Sequence, residues 1–328
     1  MDINSVKDYL SYDWAKVQET ISSALRSDIA LLNQVNSAML ANAGKMLRPM
    51  LALLIARACA ADGKANGDTH LFAAAVELLH NATLFHDDVA DMSPERRGHP
   101  TLNALMGPQA SVLVGDFWLV RAIGCILAAK SGGLEVIAAF SRTLSDLAEG
   151  EMLQLQKASS CDTIEEDYFR IIHDKTASLF DVAAYSAAVS VGAGSACEAA
   201  VRDFAVKTGL AFQIRDDIFD YTTTMEVGKP LGVDILEQKI TMPLLCALSD
   251  APAPEQARIR DMVKHLDGDF SRRDEILEFV KVHDGCAKAQ KRLEALSDEA
   301  ARALDVLPDS RDRRLLQELA VHIAGRTV

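Results

Sequence analysis

Nearly every segment of this chain repeats its apolar residues with the period of an α-helix, and no window alternates convincingly as a β-strand. Apolar residues make up 49% of the 328 residues, whereas aromatic residues account for only 5%. This composition favours helix over sheet. We therefore predict an all-α fold, an orthogonal or antiparallel helix bundle. The predicted helices span residues 13–41, 48–61, 68–91, 101–106, 109–130, 133–157, 164–192, 196–221, 233–249, 254–266, 271–302 and 309–325.

The chain offers one candidate linker, residues 250–255, which contains two prolines. Nothing there resembles a long flexible tether, and no short-period repeat indicates a solenoid. We predict a single domain over residues 1–328.

Charge and cysteine usage exclude several classes of protein. The net charge of −13 argues against nucleic acid as a partner, because binding to phosphate backbones needs clustered lysine and arginine. The six cysteines have no CxxC pair or zinc-ligand spacing, so we predict reduced core thiols. The N-terminus lacks a signal-peptide pattern, and no run approaches the roughly 18 uninterrupted apolar residues of a membrane span. We predict a cytoplasmic protein without a transmembrane segment.

Two copies of one acidic pentapeptide, DDVAD at residues 87–91 and DDIFD at residues 216–220, lie in or at the end of apolar helical runs. Residues three and four apart share a helix face, so each copy gathers three carboxylates in one patch. These anions repel each other unless a cation lies among them, and Mg²⁺ prefers oxygen ligands that it shares with substrate phosphates. Two such patches facing each other would clamp a diphosphate between metal ions.

Basic residues accompany both acidic patches. Arg96 and Arg97 follow the first patch, where arginine can bind phosphate oxygens in pairs or simply cap the helix by salt bridges. Lysines near the second patch are candidate phosphate contacts or ordinary surface residues; they are Lys175, Lys229 and Lys239. Gly44 precedes a predicted helix start that carries Lys45 and Arg48, a weak signal for a second anion site.

The helix before Asp87 would decide how far a hydrocarbon tail could extend if the diphosphate bound at the acidic patch carried one. Thr83 and Ala82 lie about one turn below the acidic patch, and both are small. A growing tail would meet no bulky side chain there and could continue along the helix for roughly 24 Å. The residues that it would pass next are Leu79, Leu78, Val76 and Ala75. Alternatively, Ala82 and Thr83 only let neighbouring helices pack closely.

The ordered set of motifs in this chain resembles that of the trans-isoprenyl diphosphate synthases of the polyprenyl synthetase family. In order, the motifs are the GKMLRP element at residues 44–49, the first DDxxD with its RRG, the KT pair at 175–176, the FQ pair at 212–213 and the second DDxxD. The resemblance covers residues 30–325. It implies an all-helical fold around a deep central cavity, usually a homodimer, that binds Mg²⁺, three ions with substrate present. The implied reaction condenses isopentenyl diphosphate with an allylic diphosphate of farnesyl or geranylgeranyl type. Because relatives with short products carry bulky aromatics at positions 82 and 83, this chain resembles enzymes with long, octaprenyl-type products.

The resemblance also implies a role for individual residues. The metal ligands would be Asp87, Asp91 and Asp216, and Asp88, Asp217 and Asp220 would complete the acidic surround. All six aspartates, together with Lys175, would form the catalytic set. The allylic diphosphate would be held by Arg96, Lys175, Gln213, Lys229 and Lys239, with Thr176 as a further substrate contact. Isopentenyl diphosphate would be held by Gly44, Lys45, Arg48, His80 and Arg97. One departure is Met46, where relatives often carry a second basic residue; another is the weakly basic tail at 326–328.

Rival interpretations fit less well. A class I terpene cyclase pairs its aspartate-rich motif with an Asn/Ser/Glu triad, whereas this chain repeats DDxxD, and a head-to-head prenyl coupling enzyme is disfavoured for similar reasons. A helical di-iron protein needs two Glu-x-x-His motifs, and only Glu77 with His80 matches. A non-catalytic subunit of a heteromeric synthase would be expected to lose acidic ligands, and both sets are intact.

Overall fold

The computed structural model describes residues 2–42, 44–96, 98–222, 231–266 and 269–325. It confirms the predicted all-α class, with 81% helix and 1% strand. The elements of the first half are α1 Ile3–Tyr9, α2 Ser11–Ala24, α3 Ala30–Ala41, α4 Leu47–Cys59, α5 Gly67–Ala90, β1 Glu95–Arg96, β2 His99–Pro100, α6 Leu102–Met106, α7 Pro108–Ala128 and α8 Gly133–Ser160. The elements of the second half are α9 Glu165–Ile172, α10 Ser178–Ser190, α11 Ser195–Thr222, α12 Val233–Leu236, α13 Met242–Asp250, α14 Ala253–Lys264, α15 Phe270–Val282, α16 Gly285–Ala303 and α17 Arg311–Gly325.

Several predicted boundaries were wrong. The predicted helix at 13–41 is two helices, α2 and α3, and a further helix, α1, precedes them. The predicted helices at 233–249 and 271–302 are each broken in two, and 164–192 contains a π-helical turn, His173–Ala177, between α9 and α10. The expectation of no strand also fails at one place, because β1 and β2 form an antiparallel pair, with Glu95 opposite Pro100.

The chain divides into two compact units. Unit 1 comprises Met1–Phe140, Val182–Arg202 and Val306–Leu316, and unit 2 comprises Ser141–Asp181, Asp203–Asp305 and Gln317–Val328. The first acidic pentapeptide belongs to unit 1 and the second to unit 2.

The core of unit 1 is built around α5, whose residues 72–79 are all buried. Near the end of this helix, Phe85 packs edge-on against Trp118 of α7, with ring centroids 5.2 Å apart. The indole of Trp118 donates to Asn36 Oδ1 at 2.8 Å, so its polar edge is satisfied inside the core. This packing fixes the end of α5 that carries the first acidic pentapeptide.

A buried ionic network ties the N-terminal helices of unit 1 to the first turn of α17. Asp13 Oδ1 lies 2.9 Å from His70 Nε2, and Asp13 Oδ2 lies 3.3 Å from Arg57 Nη1. Arg57 Nε lies 3.0 Å from Asp312 Oδ1, and Arg57 Nη2 donates to the Tyr9 hydroxyl at 3.0 Å. Burial raises the pKa of Asp312, and the charge of Arg57 opposes that rise. Because these charges are largely desolvated, each depends on its partners.

In unit 2, the π-helical turn is packed between two glycines on neighbouring helices. A Cβ on Gly150 of α8 would lie 2.7 Å from Asp174 Cβ and 3.1 Å from the backbone nitrogen of Lys175. A Cβ on Gly209 of α11 would lie 2.6 Å from Ala177 Cα. These distances leave no room for a larger residue. The two glycines therefore let α8 and α11 approach the turn that carries Lys175 and Thr176.

Helix α7 is long and apolar enough to cross a membrane by length and composition, with a mean hydropathy of 1.7 in its most apolar window. The structure buries 39% of that window, and the helix carries two charged residues, Asp116 and Arg121. In the described part of the chain it is the only helix with these properties. The absence of a transmembrane segment stays a prediction.

Candidate active site

The first acidic pentapeptide occupies the last turn of α5. This helix ends at Ala90, and Asp91 is its C-terminal cap, with its backbone N–H donating to the carbonyl of Asp87. Asp87 is half-buried and Asp91 is exposed. Four residues apart on one helix, these two carboxylates lie on the same face. They are the members of this copy that remain accessible to a cation.

Asp88 is turned inward and is 3% exposed. Its Oδ1 lies 2.8 Å from Arg96 Nε, and its carbonyl accepts from Asn103 Nδ2 at 3.1 Å. Arg96 lies on β1, so the short hairpin after α5 returns a cation to the carboxylate. Asp88 therefore holds Arg96 beside the acidic patch, and the half-exposed guanidinium keeps its other edge available.

The predicted isopentenyl diphosphate residues of unit 1 lie on two elements. Gly44 and Lys45 precede α4, Arg48 lies in its first turn, and His80 lies on α5. Met46, the departure from the family pattern, is the N-cap of α4 with a left-handed backbone of φ 52°. Lys45 is exposed, whereas Arg48 and His80 are half-buried. Their role in binding stays a prediction.

Asp217 is the most enclosed carboxylate of the second pentapeptide, at 3% exposed. Its Oδ2 accepts from the Tyr168 hydroxyl at 2.5 Å, and its Oδ1 accepts from Gln213 Nε2 at 3.0 Å. Burial raises the pKa of Asp217 to about 6, and the charge of Asp216 adds to that rise, whereas the hydrogen bonds from Tyr168 and Gln213 lower it. The carboxylate has neutral donors and no arginine among these partners.

Asp220 joins the second pentapeptide to α12. Its side-chain oxygens accept from the backbone N–H groups of Val233 and Asp234, both at 3.0 Å. Burial raises the pKa of Asp220. The pKa of Asp234 is raised well above its ordinary value, first by burial and then by the charges of Asp217 and Asp220. Acidic groups crowded in this way favour a proton or a cation among them.

The predicted basic and amide residues of unit 2 form a connected set. Lys175 Nζ pairs with Glu151 and donates to Gln154 Oε1 at 3.0 Å. The Thr176 hydroxyl donates to Gln213 Oε1 at 2.9 Å. These bonds hold the π-helical turn against α8 and α11.

An open pocket of unit 2 brings several predicted residues together. Its lining includes Lys175, Gln213, Asp217 and Lys239, which the sequence predicted, and Gln154, Tyr168 and Asp234, which it did not assign a role. No sequence pattern points to Tyr168 or Gln154, because their hydrogen-bond partners, Asp217 and Lys175, lie 49 and 21 residues away along the chain. Asp234 stands beside the glycines that follow the second pentapeptide, and this proximity was the one available hint.

The donor set of both pentapeptides fits Mg²⁺. In the described residues, no group of three His, Cys, Asp or Glu side chains is already arranged to hold a metal ion. Mg²⁺ does not require such a cage, because it is usually bound by one or two carboxylates, waters and substrate phosphates. Asp87 and Asp91 supply two accessible carboxylates on one helix face, which matches this usual ligand set of Mg²⁺.

The remaining predicted residues either lie outside the described part of the chain or concern product length. Arg97, Lys229 and the tail at 326–328 lie outside the described residues. Ala82 is 2% exposed and Leu79, Leu78, Val76 and Ala75 are fully buried, whereas Thr83 is half-buried and its hydroxyl donates to the His80 carbonyl at 2.8 Å. Their part in setting product length stays a prediction.

Comparison with known proteins identifies the family. The polyprenyl synthetase family model matches residues 29–280, and the chain belongs to this family. The octaprenyl diphosphate synthase of Escherichia coli (strain K12) is 39% identical over 326 residues, covering 99% of this chain and 98% of that protein. The crystal structure of a decaprenyl diphosphate synthase from Rhodobacter capsulatus matches with a TM-score of 0.91 at 33% identity, covering 98% of each chain.

A third relative was crystallised with ligands. The polyprenyl synthase from Caulobacter crescentus CB15, complexed with calcium and isoprenyl diphosphate, matches with a TM-score of 0.88 at 32% identity, covering 99% of this chain and 98% of that chain. With the family match and the near-complete coverage, these similarities show that the present chain is a prenyltransferase.

Proposed function

We propose that this prenyltransferase condenses isopentenyl diphosphate head-to-tail with an allylic diphosphate, in 1'-4 linkage, and repeats the step to make a long-chain all-trans polyprenyl diphosphate, releasing diphosphate each time. The observation that carries the proposal is the pair of acidic pentapeptides, each accompanied by cationic or amide side chains suited to a diphosphate. The names of the E. coli and R. capsulatus relatives support a long product. We favour an octaprenyl-type length, since the E. coli relative has the higher identity.

Positively charged side chains of the site would assist cleavage of the allylic carbon–oxygen bond. The allylic carbon–oxygen bond ionises only when the negative charge that develops on the departing diphosphate is stabilised. Arg96, held by Asp88, and Lys175, held by Glu151 and Gln154, would supply fixed positive charge for this purpose. Because both cations are already oriented, little reorganisation is needed when the charge appears.

Carbon–carbon bond formation follows ionisation. The double bond of isopentenyl diphosphate attacks the allylic cation, and loss of a proton restores an allylic product that is five carbons longer. Water must stay out, because it would quench the cation. No general base stands out among the described side chains, so we assign the proton to the departing diphosphate.

We propose that Asp87, Asp91 and Asp216 hold Mg²⁺, three ions with substrate bound. When bound, the metal neutralises the diphosphate and acts as a Lewis acid on its oxygens. The pair of accessible carboxylates at the end of α5, half-buried Asp87 and exposed Asp91, supports this assignment. The calcium in the C. crescentus complex shows that a relative binds a divalent cation.

We further propose a cytoplasmic homodimer in which each chain forms one domain. An apolar stripe on α7 supports a partner copy, because Leu113, Val120 and Leu127 are each at least 61% exposed and exposed patches of this kind mark interaction surfaces. Six free cysteines fit a reducing compartment. The family match extends across residues of both units, which supports a single domain.

The decisive experiment supplies purified protein with isopentenyl diphosphate, farnesyl diphosphate and Mg²⁺, and measures diphosphate release and the size of the prenyl alcohol after dephosphorylation. We expect Mg²⁺-dependent release and a long-chain alcohol. Asp87→Ala should abolish turnover while its helical circular dichroism stays unchanged. Asp28→Ala, a change at an exposed aspartate of unit 1, should leave both turnover and circular dichroism unchanged. Near-normal turnover of Asp87→Ala would contradict the metal role, and an inactive wild type would contradict the proposed reaction.

A further inference from the structure

Tyr168 contacts Asp217 of the second pentapeptide, although Tyr168 belongs to none of the sequence motifs. It lies on α9, is 3% exposed, and donates its hydroxyl to Asp217 Oδ2 at 2.5 Å. The ring is fixed by Phe169, whose centroid lies 5.6 Å away in an edge-on arrangement. A buried hydroxyl this close to a motif carboxylate restricts the rotation of that carboxylate.

The hydrogen bonds beyond Asp217 have a defined direction. An ionised carboxylate only accepts, so both Tyr168 and Gln213 must donate to it. When the Gln213 amide nitrogen faces Asp217, at 3.0 Å, its carbonyl oxygen must face the Thr176 hydroxyl, at 2.9 Å. The backbone N–H of Met242 also donates to Asp217. The orientation of one carboxylate thus decides which way the amide of Gln213 points, and through it the hydroxyl of Thr176.

We propose that Tyr168 is a positioning residue for the allylic diphosphate: by occupying Oδ2 of Asp217 it keeps Oδ1 on Gln213. It so orients Gln213 in the pocket that also contains Lys175 and, through Gln213, the hydroxyl of Thr176. This role rests on the proposed function, in which Gln213 and Thr176 contact the substrate. Without the hydroxyl, Asp217 loses one of its fixed donors and can turn, and the amide of Gln213 is then no longer held in one orientation. Asp88 and the predicted isopentenyl diphosphate residues, all in unit 1, would be unaffected.

The test is Tyr168→Phe, which removes one oxygen atom and keeps the ring. We expect the KM for the allylic diphosphate to rise about tenfold, the size expected for losing a hydrogen bond to a charged group, while the KM for isopentenyl diphosphate stays within about twofold. The matched control is Tyr221→Phe, a tyrosine of the same unit whose hydroxyl accepts from Thr241 at 3.4 Å. The control should leave both KM values unchanged.

A second readout does not depend on turnover. Binding of inorganic diphosphate in the presence of Mg²⁺, followed by calorimetry, should weaken in Tyr168→Phe and not in Tyr221→Phe. Asp217→Asn should weaken it as well, and the double variant should be no weaker than Asp217→Asn alone, because the two residues act through one path. Additive losses in the double variant would overturn the proposal.

Two further results would also overturn it: a Tyr168→Phe enzyme with unchanged affinity for allylic and inorganic diphosphate, or one in which both KM values rise in parallel with a lower melting temperature. The latter is the pattern of a purely structural tyrosine. Failure of the proposed function is distinguishable, because it would appear in the wild type as absence of turnover, whereas the binding comparison between the wild type and the four variants would still report on the role of Tyr168.

Discussion

Phenylalanine in place of Ala82 tests whether the buried face of α5 limits product length. Ala82 lies five residues before Asp87 on one continuous helix and is 2% exposed. At a rise of about 1.5 Å per residue, the two positions are roughly 7.5 Å apart along the helix axis. A phenyl ring at position 82 would therefore stand about one and a half turns below the carboxylates that we propose to hold Mg²⁺.

The size of the effect follows from the length of an isoprene unit. Four carbon–carbon bonds of about 1.5 Å, in an extended zigzag, cover roughly 5 Å. The segment from Asp87 to Ala82 thus accommodates about one and a half units, whereas the roughly 24 Å from Asp87 to Leu71 accommodates about five. We expect Ala82→Phe to end elongation roughly three units earlier than the wild type.

The assay is chromatography of the prenyl alcohols recovered after dephosphorylation, at equal enzyme activity. Ala73→Phe is the matched control, because position 73 is fully buried and faces the opposite side of α5, nine residues away. Inserting a ring into a packed core costs about 1–3 kcal/mol of stability in either variant, so both should melt lower. An unchanged product in a folded, active Ala82→Phe enzyme would refute the reasoning, as would equal shortening by Ala73→Phe.

Two further predictions concern unit 1. Arg57→Met leaves Asp13 and Asp312 without their shared cation and should lower the free energy of unfolding in urea by about 3 kcal/mol. Lys16→Met removes a solvent-exposed ion pair and should lower it far less, and equal losses would show that burial is not the cause. Val120→Glu should convert a dimer measured by light scattering into a folded monomer with unchanged helical circular dichroism, because Val120 is 61% exposed in the single chain. A monomeric wild type or a dimeric variant would contradict the proposed interface.

Local patterns were sufficient to predict the fold class and most helices, but not where long helices break. The end of α15 and the start of α16 illustrate the reason. Asp284 adopts φ 54° between them, a left-handed conformation that costs a non-glycine residue energy. Nothing in the apolar periodicity of residues 271–302 signals this turn, because tertiary packing on α13 selects it. Periodicity therefore predicted one helix where packing requires two.

The candidate site shows the same division between local and long-range information. Asp88 of the first pentapeptide and Arg96 are only eight residues apart in sequence, and their contact follows from a short hairpin. Tyr168 and Asp217 are 49 residues apart, and their hydrogen bond exists only because α9 packs beside α11. A single sequence contains no pattern that links such a pair.

The two DDxxD motifs are not equivalent, and their surroundings explain the difference. In each copy the second aspartate is turned inward, because it lies about 100° around the helix from the first. Asp88 receives a guanidinium from Arg96, so its charge is compensated within unit 1. Asp217 receives the hydroxyl of Tyr168 and the amide of Gln213, which orient it without neutralising it, and Asp234 adds another buried carboxylate nearby. The proposed Mg²⁺ and the lysines of unit 2 would therefore matter more for the charge of the second copy, whereas the first carries part of its own compensation.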